Sequence, residues 1–109
     1  MDMTDEDAEL VRLARSARSQ NAATSGASVR DQDGGTHAAT NIGLPSLRVS
    51  SLQMAVAMAV SSGATGLQAA AVVCDEPDVD VTVVRDLAGS GVRVHIADIA
   101  GRPQAMKTT

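Results

Sequence analysis

The stretch Leu47-Arg48-Val49-Ser50-Ser51-Leu52-Gln53-Met54-Ala55-Val56-Ala57-Met58-Ala59-Val60-Ser61-Ser62-Gly63 decides how the rest of the chain is read. A serine at 50 or 51 is suited to cap a helix, because its hydroxyl accepts from an orphan N–H of the first turn. The helix runs to about Ser62, and Gly63 stands where a left-handed C-terminal cap belongs. Leu52, Ala55, Val56, Met58, Ala59 and Val60 leave only Gln53 and the serines as polar company, so the spacing predicts a helix covered by protein on both faces.

Downstream, 67–74 is a run of strand length that is apolar but for Gln68, as expected of a central strand buried on both sides. An acidic turn follows over 75–80. A short helix is expected from Val81 to about Ala88, ending at Gly89 or Gly91, and a second strand over 92–97. The residues from Gly101 onward read as a frayed, flexible tail.

Upstream, 27–31 and 36–42 flank Gln32-Asp33-Gly34-Gly35, a hairpin signal in which Asp33-Gly34 supplies the positive φ of the turn. Residues 43–48 read as a loop, since Pro45 cannot donate to a ladder. At the start, Thr4 followed by Asp5, Glu6 and Asp7 is a helix N-terminus with acids at the positive end of the dipole. Apolar positions at 8, 10, 11, 13 and 14 carry that helix from about Asp5 to Ser19. The order is helix, hairpin, helix, strand, helix, strand in one domain over 1–100, with 101–109 as the tail.

Composition narrows the functional classes. The chain has 109 residues, a net charge of −4 and no Phe, Tyr or Trp. It has no Phe, Tyr or Trp face on which to stack a base and no clustered cations to neutralise phosphates, so nucleic-acid binding is disfavoured. No apolar run reaches the roughly 18 residues needed to span a bilayer, and the start is acidic where a secretory signal would be basic. A cytoplasmic protein with no membrane partner is expected. Cys74 is the single cysteine, so no intramolecular disulfide forms.

The frame of 47–63 resembles that of the cytidine deaminase family, whose matching stretch reads approximately L-T-V-C-A-E-R-T-A-I-x-x-A-V-S-x-G. The resemblance spans about Arg30 to Asp98. It implies a three-layer α/β/α sandwich with a mixed, four- to five-stranded sheet. It also implies a site at two helix starts, where three protein ligands hold a catalytic zinc and a glutamate moves protons. On that pattern Ser50 stands at the first ligand and Leu52 at the glutamate, while Val81 and Val84 fall on the two cysteines of the second helix start. Valine coordinates nothing, and no metal or other cofactor is expected. The family's N-x-E-N segment, which holds ribose hydroxyls, is reduced to Asn41-Ile42-Gly43-Leu44.

Three readings follow. In the first, the chain is a catalytically inactive deaminase-like protein kept as an oligomerising or partner-binding module. The small residues Ala55 and Ala59, with Met54 and Met58 beside them, are then the expected face of a homodimer or homotetramer. In the second, a vestigial pocket formed by Asn41, Ser50, Ser51 and Leu52 holds a nucleoside, nucleotide or anion. In the third, an active deaminase is completed by another subunit. Other candidates have blander explanations. Cys74, His37, His95 and Asp75 lack metal-site spacing; Asp75, Glu76, Asp78 and Asp80 suit a helix start; Asp31 and Asp33 are turn residues; and His95 reads as a surface or edge histidine.

Overall fold

A computed structural model describes residues 3–76 and 78–109. Met1, Asp2 and Pro77, which lie in the acidic start and the acidic turn read above, fall outside the described residues. The elements are α1 (Asp5–Gln20), β1 (Gly26–Asp31), β2 (Thr36–Thr40), β3 (Ile42–Leu44), β4 (Leu47–Val49), α2 (Ser51–Ser61), β5 (Leu67–Val73), α3 (Thr82–Ala88), β6 (Arg93–Ala97) and β7 (Pro103–Thr108).

Five strands form one mixed sheet in the order β2-β1-β5-β6-β7. Only β5 and β6 run parallel, joined by the crossover through α3; the other pairings are antiparallel. The central strand β5 is buried at every position but Gln68, as its apolar run demands. Alternate residues of β5 feed two separate cores. Ala70 and Val72 join Leu52, Ala55, Val56 and Ala59 of α2 and Val84 of α3, whereas Ala69, Ala71 and Val73 join Leu10, Val11 and Ala14 of α1. The result is α1 on one face of the sheet and α2 with α3 on the other, the expected three layers.

With no aromatic side chains available, close approach of small residues fills the interior. A Cβ on Gly26 would sit 2.1 Å from the Ala14 carbonyl oxygen, so α1 rests against β1 only because that position is glycine. The Ser28 hydroxyl then donates to the Leu10 carbonyl at 2.5 Å.

Two expectations are corrected. Residues 43–48 are not a loop: β3 and β4 pair as a second, two-stranded sheet, and Pro45 sits harmlessly in the turn between them. Nor is 101–109 a frayed tail. Pro103–Thr108 adds an antiparallel edge strand to β6, and Thr109 closes the end by bonding Val92 and Gly91 through its backbone. A polar strand whose side chains are mostly exposed carries no hydrophobic alternation, and backbone pairing alone decides it. Among the described residues, no helix is long and apolar enough to cross a membrane.

Candidate functional site

The start of α2 is built as a capping box. The Ser50 hydroxyl accepts from the Gln53 N–H at 3.0 Å, while the Gln53 side-chain oxygen accepts from the Ser50 N–H at 2.9 Å. Two orphan donors are satisfied reciprocally, and the Ser50 oxygen is committed to the helix. Ser51 is buried, with its hydroxyl 2.5 Å from that of Ser25. Ser25 in turn donates its N–H to the Asn41 side-chain oxygen at 3.1 Å. Leu52 is 1 % exposed and belongs to the same apolar cluster as Val84, which is fully buried.

Opposite the start of α2 is the approach to α3. Val81 precedes the helix without a side-chain cap of its own. Asp80 supplies the cap instead, accepting from the Thr82 hydroxyl at 2.6 Å and its N–H at 2.9 Å. Those two bonds hold the Asp80 carboxyl below its ordinary pKa. Lys107 of β7 ties down the preceding segment through Asp78 at 3.2 Å and the Val79 carbonyl at 2.7 Å. The Cys74 thiol donates to the Glu76 carbonyl at 2.7 Å. Its burial, with the charges of Asp75 and Glu76 adding to it, raises its pKa and keeps it a neutral thiol.

Between these elements is a cleft of about 210 Å³. Ser25, Ser50 and Ser51 line it with hydroxyls, Leu52 and Val72 with hydrocarbon, and Glu76, Asp78 and Asp80 with carboxylates. Of the four residues expected to form a pocket, Ser50, Ser51 and Leu52 therefore meet here. Asn41 does not line the cleft and reaches it only through the Ser25 backbone. Ser25 was not legible as a site residue: it is a loop serine brought to Ser51 by the tertiary fold.

The chemistry of this donor set does not fit a catalytic zinc. Ser50 is occupied as a cap, Leu52 and Val84 are packed as hydrocarbon, Val81 offers no lone pair, and the lone thiol nearby is protonated. Among the described residues, no group of three or more His, Cys, Asp or Glu side chains converges as a metal site would require.

The other candidate residues sort themselves clearly. Asp31 accepts from the Asp33 and Gly35 N–H groups at 2.9 Å each and lies 3.0 Å from His37 Nε2, a turn and its brace. The His37 bond, followed by those from the backbone, lowers the Asp31 pKa. Ala55 and Ala59 are fully buried against the sheet, which corrects their assignment to an oligomer face: the small side chains let α2 close onto β1 and β2 of its own chain. Met54 is half-buried, and Met58 is exposed together with Val60.

His95 is not a surface histidine. It is 7 % exposed and lies 2.7 Å from Asp7 Oδ2, on the α1 face of the sheet and so across it from the cleft. Asp7, 1 % exposed, also accepts from Arg30 at 2.8 Å and Arg93 at 3.1 Å. Burial alone would raise the Asp7 pKa, but the bonds from Arg30, His95 and Arg93 outweigh it and hold the carboxyl at about 2. Arg93 and His95 stand beside Ala69 and Ala71 in register. Those short side chains leave the room through which all three donors reach a carboxylate on α1.

A family model described as cytidine deaminase-like matches residues 3–101. Among solved structures, a cytidine deaminase from Burkholderia pseudomallei superimposes with a TM-score of 0.76 at 21% identity, over 97% of this chain and 93% of that one. A cytidine deaminase from Mycobacterium leprae gives 0.73 at 15% identity, over 97% and 94%. At such identities the two structures speak for the fold alone. No curated protein sequence matches significantly.

Proposed function

This chain belongs to the cytidine deaminase-like family, and from that premise we propose that it is a member without catalytic machinery, kept as an oligomerising or partner-binding module. One observation carries this reading: every position where the family resemblance expects a zinc ligand or the proton-shuttling glutamate has other structural work. Ser50 caps α2, Leu52 and Val84 fill the core, and Val81 abuts a helix capped by Asp80. Hydrolytic deamination needs an activated water and a group to move its proton. The positions at which the family resemblance expects these groups, Ser50, Leu52, Val81 and Val84, carry neither.

What remains available for contact is the outer surface of α2. Helix α2 has no charged residue anywhere along it, and Gln53, Ala57, Met58, Val60 and Ser61 of its outward side are exposed. In a chain of net charge −4, this is a face that a second copy can approach without like-charge repulsion.

The test is elemental analysis of the purified protein together with ammonia release from cytidine and deoxycytidine. No zinc and no turnover are expected; stoichiometric zinc, or turnover above that of a heat-killed control, overturns the reading. The same assay addresses an active site completed by another subunit, if run on the protein as isolated with its native partners.

The cleft beside Ser51 favours a second reading, in which a nucleoside is held without being transformed. Its acidic lining opposes a phosphate, so a neutral nucleoside is the form that fits, and nucleotides and inorganic anions are disfavoured. A thermal-shift panel reads this directly: a higher midpoint with nucleosides and none with their phosphates supports it. A flat panel removes it.

A further inference from the structure

A second groove, on the α1 side of the sheet, has no part in the site described above. It lies between α1 and the turn that joins β6 to β7, with a volume of about 310 Å³, at the lower end of the ~300–1,000 Å³ usual for small-molecule sites. Met3, which precedes α1, and Ala8 and Val11 of α1 form one wall and Pro103 the opposite wall, all apolar, while Arg12 and Arg15 stand along one side.

The two arginines are not equivalent. Arg12 is paired with Glu9. Arg15, exposed at the groove, has no carboxylate partner among the described residues. The acid of the facing turn, Asp98, is already engaged: it accepts from the Ala100 and Arg102 N–H groups at 3.0 and 2.9 Å and from the Gln104 side chain at 3.2 Å. Those bonds hold the wall of the groove in place, and among the described residues no ion pair joins Asp98 to Arg15. Gly101, at φ +86°, presents no Cβ to the arginine, whose Cδ lies 3.4 Å from where one would be. An apolar trough beside a guanidinium that makes no ion pair among the described residues suits a molecule with one anionic head and one short apolar tail.

We propose that this groove binds a small monoanionic amphiphile, the tail lying along Met3, Val11 and Pro103 and the head pairing with Arg15. The proposal is independent of whether the chain deaminates anything, because the groove and the cleft at Ser51 lie on opposite faces of the sheet.

Decanoate, used below its aggregation concentration, is the probe, with decylammonium and decanol as cationic and neutral counterparts, and binding is followed by titration calorimetry. Decanoate should bind saturably at one per chain, and the two counterparts at least about tenfold more weakly, since a charge-assisted bond to the guanidinium is lost. Arg15→Gln should weaken decanoate about tenfold without altering circular dichroism or the unfolding midpoint, the side chain being exposed. Ala8→Leu, which fills the trough, should abolish binding. Absent saturation, equal affinity for decylammonium, or an unchanged affinity in Arg15→Gln each overturns the proposal. A dimer that Ala8→Leu dissolves, with no decanoate binding, would assign the groove to a second copy and overturn it as well.

Discussion

His95 Nε2 lies 2.7 Å from Asp7 Oδ2, joining the fourth strand of the main sheet to the first turn of α1 across 88 positions of sequence. Arg30 and Arg93 complete the set on the same carboxylate, so one side chain pins α1 to β1 and β6 together. Arg30 is further held by the Glu6 carbonyl at 3.1 Å and the Gln68 side-chain oxygen at 2.8 Å. No buried polar side-chain atom is left without a partner among the described residues.

Replacing Asp7 by Asn removes the negative charge and strands the Arg30 guanidinium, itself 8 % exposed, among neutral neighbours. Breaking a buried ion pair from one side costs about 3–5 kcal/mol. Urea unfolding followed by far-UV circular dichroism should show Asp7→Asn less stable by about 3 kcal/mol; a loss under about 1 kcal/mol would mean that α1 is held by its apolar face alone.

The same carboxylate gives the protein a defined acid response. Its pKa is about 2 in the fold against an ordinary value of 3.8, so the folded state favours the ionised form. That stabilisation is complete above the unfolded pKa and disappears as pH falls from about 5 through the folded value, a swing on the order of 2 kcal/mol. Other carboxylates titrate in the same range, so the measurement is the difference between wild type and Asp7→Asn. That difference should shrink on acidification from pH 5 to pH 2, and one independent of pH would show that the carboxylate is not the responsible group.

Placing a glutamate at position 52 should not confer deaminase chemistry. Leu52 is 1 % exposed within the α2 core, where a carboxylate finds no cationic partner and its burial is strongly unfavourable. Leu52→Glu is expected to lose about 3 kcal/mol of stability and release no ammonia from cytidine. Zinc uptake with turnover in this single variant would contradict the assignment of Ser50, Val81 and Val84.

Ser50→Ala tests whether the hydroxyl at the first ligand position is structural. Loss of an N-cap costs about 1 kcal/mol, and Gln53 would lose its reciprocal partner. The expected result is a lowered unfolding midpoint that Ser50→Asp restores, since aspartate caps equally well. A variant as stable as wild type would leave the serine without its capping role.

Self-association through α2 is checked by light scattering after size-exclusion chromatography over a range of concentrations. Met58→Glu with Val60→Glu puts charge on the outer side of the helix, where surface changes alter folding by about 0.5 kcal/mol or less. The double variant should be monomeric where the parent is not. An unchanged mass distribution would move the contact elsewhere.

The amino-acid sequence alone determined the elements whose signals are local. Ser50 and Gly63 bound α2, Asp33-Gly34 turns the β1–β2 hairpin with Gly34 at φ +87°, and the run at 67–73 is a central strand because all of it but Gln68 is apolar and buried. The identities of Ser50, Leu52, Val81 and Val84 were equally plain, since leucine and valine offer a metal no lone pair wherever they lie. Tertiary structure decided the rest. Residues 103–108 become a strand only because β6 offers an open edge, and Ala55 and Ala59 face inward because the sheet lies beneath them. Asp7 is indistinguishable in sequence from Asp5 and Glu6, which suit a helix dipole equally well; only the packing of α1 over Ala69 and Ala71 places that one carboxylate among Arg30, Arg93 and His95. The physical reason is common to all three cases: periodicity and capping act within a few residues, whereas edge pairing, the inward face of a nearly uniform helix and the burial of a charge depend on partners far away along the chain.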